Sequence, residues 1–267
     1  MPKIHPTAVL EGDVQLAPGV VVGPWCVLNG TLGPIIVGSG SVLRANVHLT
    51  GPLTLGDKND LYPFVCLGGA PQDLGTSPDT AGPGLIIGSG NVFRESATLS
   101  RPKMQAPGRV GNSNYFMAYS HAGHDCLIGN NNVFGNCTQI AGHVEIADKV
   151  ITGGNSCIHQ FVRVGRGAFI SGLSGPTLDL CPFFVMTGVN YVGSINIVGL
   201  RRSGASPQTI DTVRWVYRTL CRSNLLPRNA LDALRSRQGD SIVDEYIAFI
   251  EGSKRGITTA RGRQTEG

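Results

Sequence analysis

From Val110 to Ile170 an aliphatic, aromatic or small residue recurs every six positions: Val110, Phe116, Ala122, Ile128, Phe134, Ile140, Ile146, Thr152, Ile158, Val164 and Ile170. The next residue is very often Gly or Ala, as at Gly111, Gly123, Gly129, Ala141 and Gly165. Four positions on stands a small or β-branched residue, as at Ser120, Cys126, Thr138, Val144 and Val150. The same pattern runs earlier through Ile4, Leu10, Leu16, Val22 and Leu28, then through Val37, Leu43, Leu49, Leu55, Leu61 and Leu67, and briefly through Ile87, Phe93 and Leu99. Neither a helix nor an ordinary hairpin has this period. It suits a short strand followed by a turn, with the apolar residue and the small residue four places on both pointing inward.

Three such sides close a coil of 18 residues, and stacked coils share one continuous core. Repetition on this scale identifies the hexapeptide repeat of the left-handed parallel β-helix. The hand follows from the known repeat, because the general rule for parallel crossovers gives the opposite one. The expected fold class is mainly β: a left-handed parallel β-helix over 1–200, followed by a small α-helical C-terminal domain over 201–267. Two Pro/Gly-rich stretches interrupt the repeat, and 68–84 and 101–109 are read as loops projecting from the prism. Long loops in a compact solenoid are usually functional or disordered. The repeat fades after about Gly175. Ser206-Pro207 then opens a helical pattern carried by Ile210, Val213, Val216, Tyr217 and Leu220. Leu231 and Leu234 mark a second, short helix, and 242–250, opened by Asp240, a third. The tail over 254–267 is basic and polar and is expected to fray.

Composition narrows the class further. Hydrophobic residues make up 41% of the chain and charged residues only 15%, which excludes intrinsic disorder. The 37 Gly have no period of three, which excludes collagen. No apolar run approaches the ~20 residues of a membrane helix. The opening residues, MPKIHPTAVLEGD, lack the apolar stretch of a signal peptide. The seven Cys are scattered, odd in number and never in CxxC spacing, against a disulfide framework or a zinc ribbon. A cytoplasmic protein with no integral membrane segment is expected. No basic run is interleaved with aromatics, so no nucleic-acid partner is expected either.

Four of the six His lie between 121 and 159: His121, His124, His143 and His159. None occupies an inward position of the repeat. Residues 18 apart stack about 4.8 Å from each other on one side of the prism. Asp125 therefore stacks under His143, and Gly123 under Ala141 and then His159. The arithmetic gathers His121, His124, Asp125, His143 and His159 on one outer edge. Surface histidines can fall together by chance. The three-residue spacing of His121 and His124 also suits a zinc site. A general base fits better: imidazole titrates near neutral pH, and a neighbouring carboxylate can orient it. No metal and no cofactor is expected.

The stretches 120–130 (SHAGHDCLIGN), 140–144 (IAGHV) and 158–161 (IHQF) resemble the UDP-N-acetylglucosamine 3-O-acyltransferase family of lipid A biosynthesis. So do His5-Pro6-Thr7-Ala8, Gln72-Asp73-Leu74, Arg94-Glu95-Ser96 and 199–202 (GLRR). The resemblance covers most of the chain. It implies a homotrimer with sites between prisms, and transfer of a 3-hydroxyacyl chain from acyl carrier protein to the 3-position of UDP-N-acetylglucosamine or a related nucleotide sugar. This is the first step of lipid A synthesis. His124 matches the family's catalytic base, Asp125 its supporting acid, and Gly142 the residue whose N–H stabilises the oxyanion. Gln72, Asp73, His121, His143, His159 and Gln160 match substrate-contacting positions. Gly172 matches the position that sets acyl length, and Asn196 and Arg202 match nucleotide-side positions.

The chain departs from the family pattern at Ser100, Gly75, Val198 and Ser203, where the family usually has His, Lys, Glu and Arg. A lost carboxylate and lost cations weaken recognition of a charged nucleotide. The departures keep other readings open: a different sugar or amino-sugar acceptor, an acetyl-coenzyme A-dependent enzyme, or a non-catalytic sugar-nucleotide-binding hexapeptide protein. Acyl carrier protein is acidic. The matching basic face is sought at Arg201, Arg202, Arg214, Arg218, Lys254 and Arg255, and the net charge of +4 permits electrostatic steering.

Overall fold

The computed structural model describes residues 1–104, 106–223 and 225–260. It is a parallel β-solenoid of the left-handed type with about 10 turns, followed by a few helices. The coil register is the one the repeat dictates. Tyr115 pairs with Val133, Val133 with Ile151 and Ile151 with Phe169 along one face. His121, Gln139 and Cys157 form the ladder of the second face, and Leu127, Glu145 and Arg163 that of the third. Every residue of the six-residue series from Val110 to Ile170 is at most 4% exposed. Phe93, Phe116 and Phe134 stack inside with ring centroids 4.7 Å apart.

The core is not wholly apolar. Asn59, Asn91, Asn114 and Asn132 are buried in one rising column. Each side-chain oxygen accepts the backbone N–H one coil up: Asn59 from Asn91, Asn91 from Asn114, Asn114 from Asn132, at 2.9 Å each. Turn N–H groups that would otherwise be buried without acceptors are satisfied in this way. The buried hydroxyls of Thr138 and Thr152 hydrogen-bond each other, 2.7 Å apart.

Three expectations need adjustment. Ile4 and Leu10, read as inward, are 47% and 37% exposed, because the first coil has nothing stacked on its open end. The last coil is closed by a parallel strand, Phe184–Met186, and an antiparallel one, Val192–Ile195. A helix not foreseen then follows, α1 (Ile197–Arg202), so a division between 200 and 201 runs through it. Six residues are too few to show a helical period. The tail does not fray over 254–260. Ile257 bridges Asp179, Thr259 bridges Tyr191, and Thr258 is fully buried, its N–H donating to Asp179 O at 2.7 Å. Residues 261–267 of that tail lie outside the described residues.

The other helices begin where their caps predict. Ser206 caps α2 (Pro207–Tyr217), accepting from the Thr209 N–H at 3.1 Å, and a π-helical turn (Arg218–Arg222) continues it. α3 (Pro227–Arg235) and α4 (Ser241–Glu251), the latter capped by Asp240, complete the set. α4 is bound to the solenoid by fully buried Tyr246, whose hydroxyl donates to Pro182 O at 2.6 Å, and by the two-pronged Arg166–Glu245 pair. Among the described residues, no helix is long and apolar enough to cross a membrane.

Candidate active site

The site is a corner of the prism. His124 is the first turn residue after the strand His121–Ala122. Eighteen residues on, Gly142 takes the same place, and Gln160 follows on the coil above. The next turn position is left-handed on all three coils: Asp125, His143 and Phe161, at φ of 61°, 61° and 62°. The coils are tied at the corner by His143 N–H to His124 O at 2.9 Å and Phe161 N–H to Gly142 O at 3.2 Å. The left-handed turn aims the Asp125 carboxylate back at its neighbour. Asp125 Oδ2 lies 2.7 Å from His124 Nδ1 and 3.8 Å from His143 Nε2. Its Oδ1 accepts from the Met104 N–H at 2.9 Å, and Oδ2 from the Lys103 N–H at 3.4 Å.

This arrangement fixes the tautomer of His124. Nδ1 faces a carboxylate oxygen and carries the proton, so Nε2 presents its lone pair outward. Gly142 lies against the ring face. A Cβ there would stand 2.8 Å from His124 Cε1 and 2.9 Å from Nε2. The Gly142 N–H has no acceptor among the described residues. The His143 ring meets His124 edge-on at 5.0 Å and stacks on Phe161 at 4.5 Å. Burial lowers the His143 pKa; Asp125 opposes the shift, while His124 and Lys103 add to it. His143 is accordingly held neutral at pH 7.

His121 points along the adjoining face rather than into the corner. Its Nδ1 is 2.8 Å from Thr98 Oγ1, and burial lowers its pKa. With Gln139, Cys157, His159, Thr177 and Val189 it lines a cavity of about 500 Å³. His159 is exposed, its Nδ1 3.1 Å from Gln160 O and 3.4 Å from Arg255 Nη2. The His121–His124 pair considered for zinc is therefore split between two surfaces. The groups close enough to share a cation are His124, Asp125 and His143, within 4.8 Å of one another. Both Asp125 oxygens already accept hydrogen bonds.

Two loops close over the corner. From 68–84, Asp73 forms an Asx turn, accepting from the Gly75 N–H at 3.0 Å, and pairs with the Lys103 ammonium from 101–109. The Lys103 hydrogen bond, first, and the Gly75 N–H hold the Asp73 carboxyl below its usual pKa. Gln72 is exposed beside it, and Gln160 is exposed above Gly142. Lys103 and Thr98 were not singled out from the sequence. Lys103 had one signal, a cation inside an interrupting loop, and Thr98 one, its place one coil below His121.

The other candidates lie elsewhere. Gly172 stacks with Gly154 on a different corner of the same prism, where Leu173 N–H donates to Gly154 O at 3.1 Å. The Asn196 side chain caps α1, accepting from Gly199 N–H at 2.8 Å and donating to Gly167 O at 2.9 Å. Arg202 is exposed in the last turn of α1. Of the departures, Ser100 is buried, Gly75 and Val198 are exposed, and Ser203 ends α1 with its hydroxyl on Leu200 O at 2.8 Å. Within the basic set, Arg214 is paired with Asp211 and Arg255 donates to Thr177 O, so neither stands free.

Residues 179–258 match the family described as UDP N-acetylglucosamine O-acyltransferase, domain 2. A protein of Anaeromyxobacter dehalogenans named acyl-[acyl-carrier-protein]--UDP-N-acetylglucosamine O-acyltransferase is 39% identical over 96% of this chain and 99% of its own. A protein of Campylobacter concisus with the same name is 31% identical over 98% of this chain and 100% of its own. Among solved structures, the UDP-N-acetylglucosamine acyltransferase of Francisella novicida superposes with a TM-score of 0.90 at 30% identity, over 96% of this chain and 94% of that one. The Campylobacter jejuni enzyme superposes with a TM-score of 0.89 at 33% identity, over 97% of this chain and 100% of that one. With the repeat, the corner and near full-length relatives in agreement, this chain belongs to the acyl-[acyl-carrier-protein]--UDP-N-acetylglucosamine O-acyltransferase family.

Proposed function

We propose that this protein transfers a 3-hydroxyacyl chain from acyl carrier protein to the 3-hydroxyl of UDP-N-acetylglucosamine, the first step of lipid A synthesis. The observation that carries the reading is the corner itself. The His124 Nδ1 proton is held by Asp125 at 2.7 Å, Gly142 lies against the same ring, and among the described residues neither His124 Nε2 nor the Gly142 N–H has a partner. His124 Nε2 removes the proton of the acceptor hydroxyl as that oxygen attacks the thioester carbonyl. Asp125 stabilises the resulting imidazolium. The Gly142 N–H donates to the oxyanion of the tetrahedral intermediate. Collapse breaks the carbon–sulfur bond, and His124 returns its proton to the departing thiolate of the carrier.

His143, Gln160, Gln72 and Asp73 at the corner, and His121 and His159 on the adjoining face, serve as substrate contacts. Neutral His121 and His143 each offer a donor and an acceptor to a sugar. Gly172, on another corner, leaves room for a long acyl chain. Asn196 and Arg202 serve the nucleotide side, Asn196 through its place in the fold as much as its side chain. A homotrimer supports this division, because a neighbouring copy can bring a second corner to the His124 edge. Exposed Arg201, Arg202, Arg218 and Lys254 supply the face for the acidic carrier. The reading carries a cytoplasmic location with it, and seven free cysteines agree with a reducing compartment.

The test offers 3-hydroxyacyl carrier protein with UDP-N-acetylglucosamine and, separately, its 3-amino analogue. Ester formation on the first acceptor is the expected result. Transfer to the amino sugar alone would replace an ester-forming enzyme by an amide-forming one. No transfer from a folded protein to either would overturn the reading.

A further inference from the structure

Loop 101–109 places a cation where loop 68–84 has none. The first loop reads Gln-Asp-Leu-Gly at 72–75, with Gly75 where the resembling family has Lys. In the fold, one carboxylate addresses both places. Asp73 Oδ1 takes the Gly75 N–H at 3.0 Å and Asp73 Oδ2 takes the Lys103 ammonium, from 30 residues away. Lys103 is fixed at its root as well. Its own N–H and that of Met104 lie on the Asp125 carboxylate, and two residues earlier Arg101 is only 2% exposed. The Arg101 guanidinium turns into the first loop and donates to the carbonyls of Thr80, Gly68 and Pro78. The Lys103 ammonium is therefore a positioned charge. Its side chain is 29% exposed, open to a ligand.

We propose that Lys103 is a further substrate-binding residue of this site, its ammonium contacting the diphosphate of the nucleotide-sugar acceptor. This deepens the acceptor reading above and rests on it. An ammonium has three donors, and Asp73 takes one. Two carboxylates contact Lys103, Asp73 at its ammonium and Asp125 at its backbone N–H. Without the ammonium, a diphosphate approaching these two carboxylates is repelled by both. A compact, rotatable point charge suits phosphate oxygens. The competing role is mechanical, with Lys103 merely pinning one loop to the other.

UDP alone, titrated calorimetrically, separates the two. Lys103→Met is expected to weaken UDP binding roughly tenfold or more, the size of one charge-assisted hydrogen bond. Lys103→Arg keeps most of the affinity. Gly75→Lys added to Lys103→Met regains it, since a Cβ at Gly75 meets Asp73 Oδ1 only at an ordinary 3.6 Å. In turnover, KM for UDP-N-acetylglucosamine rises by the same factor while kcat stays within about threefold. UDP affinity unchanged in Lys103→Met overturns the proposal. So does a loss that neither Arg nor the relocated lysine recovers, which marks a pinning role. A wild-type protein that binds UDP through Lys103 but transfers no acyl chain would remove the acyl-transfer reading and leave this one standing. A wild-type protein that does not bind UDP removes this one.

Discussion

Gly142 shows how little room the corner leaves. Any side chain there places its first carbon 2.8 Å from the His124 ring, which is closer than carbon atoms pack. The ring must then turn, and turning breaks its 2.7 Å bond to Asp125. Gly142→Ala is expected to lower kcat about 10²-fold or more, the scale of a misplaced general base, with the melting temperature little changed. Kinetics and a thermal melt on one preparation check it, and near-normal turnover would show that the ring is not held by this contact. Much at this scale was legible in the residues. An offset of 18 put Asp125 under His143, and the structure has them 3.8 Å apart. The offset does not say which way a side chain leaves its turn. His121 shares the edge in numbering yet turns to Thr98 on the flat face, because it is a strand residue and His124 a turn residue.

The loops are the elements on which the site depends most. Their existence was plain where the repeat broke. Their mutual contact was not, since it depends on tertiary approach and has no period to read. Arg101 makes that contact. It is a buried cation that, among the described residues, has no carboxylate hydrogen-bonded to its guanidinium; burial lowers its pKa, and the charge of Asp79 opposes the shift. Three carbonyls of loop 68–84 take its donors instead. Arg101→Met strips those carbonyls of their partners and is expected to cost about 1–3 kcal/mol. Loop 68–84 becomes the first site of limited proteolysis, while exposed Arg202→Ala leaves the cleavage pattern unchanged. Equal resistance in Arg101→Met would show that the loop is held elsewhere. The Asn column was illegible for a different reason. A polar residue at an inward position reads as a break in the pattern until the backbone N–H above it is seen to need an acceptor.

At the scale of the molecule, a stack of nearly identical coils makes a rigid ruler. Each coil repeats the position of a turn, so His124, Gly142 and Gln160 form one vertical line and Asp125, His143 and Phe161 the next. Rigidity of this kind preorganises the proposed base and oxyanion donor without a dedicated framework. The ruler was readable from the period alone, whereas its closure by Phe184–Met186 and Val192–Ile195, outside the repeat, was not. The same stack leaves Gly172 on another corner, which only the proposed homotrimer would bring to the His124 edge of a neighbouring copy. The proposed reaction turns on the His124 imidazole, oriented by Asp125, as the general base of acyl transfer. The most direct test measures transfer from 3-hydroxyacyl carrier protein to UDP-N-acetylglucosamine by wild type and by folded His124→Ala. The variant's rate is expected to be lower by about 10²–10⁴-fold; a variant within a few-fold of wild type would show that His124 is not the base.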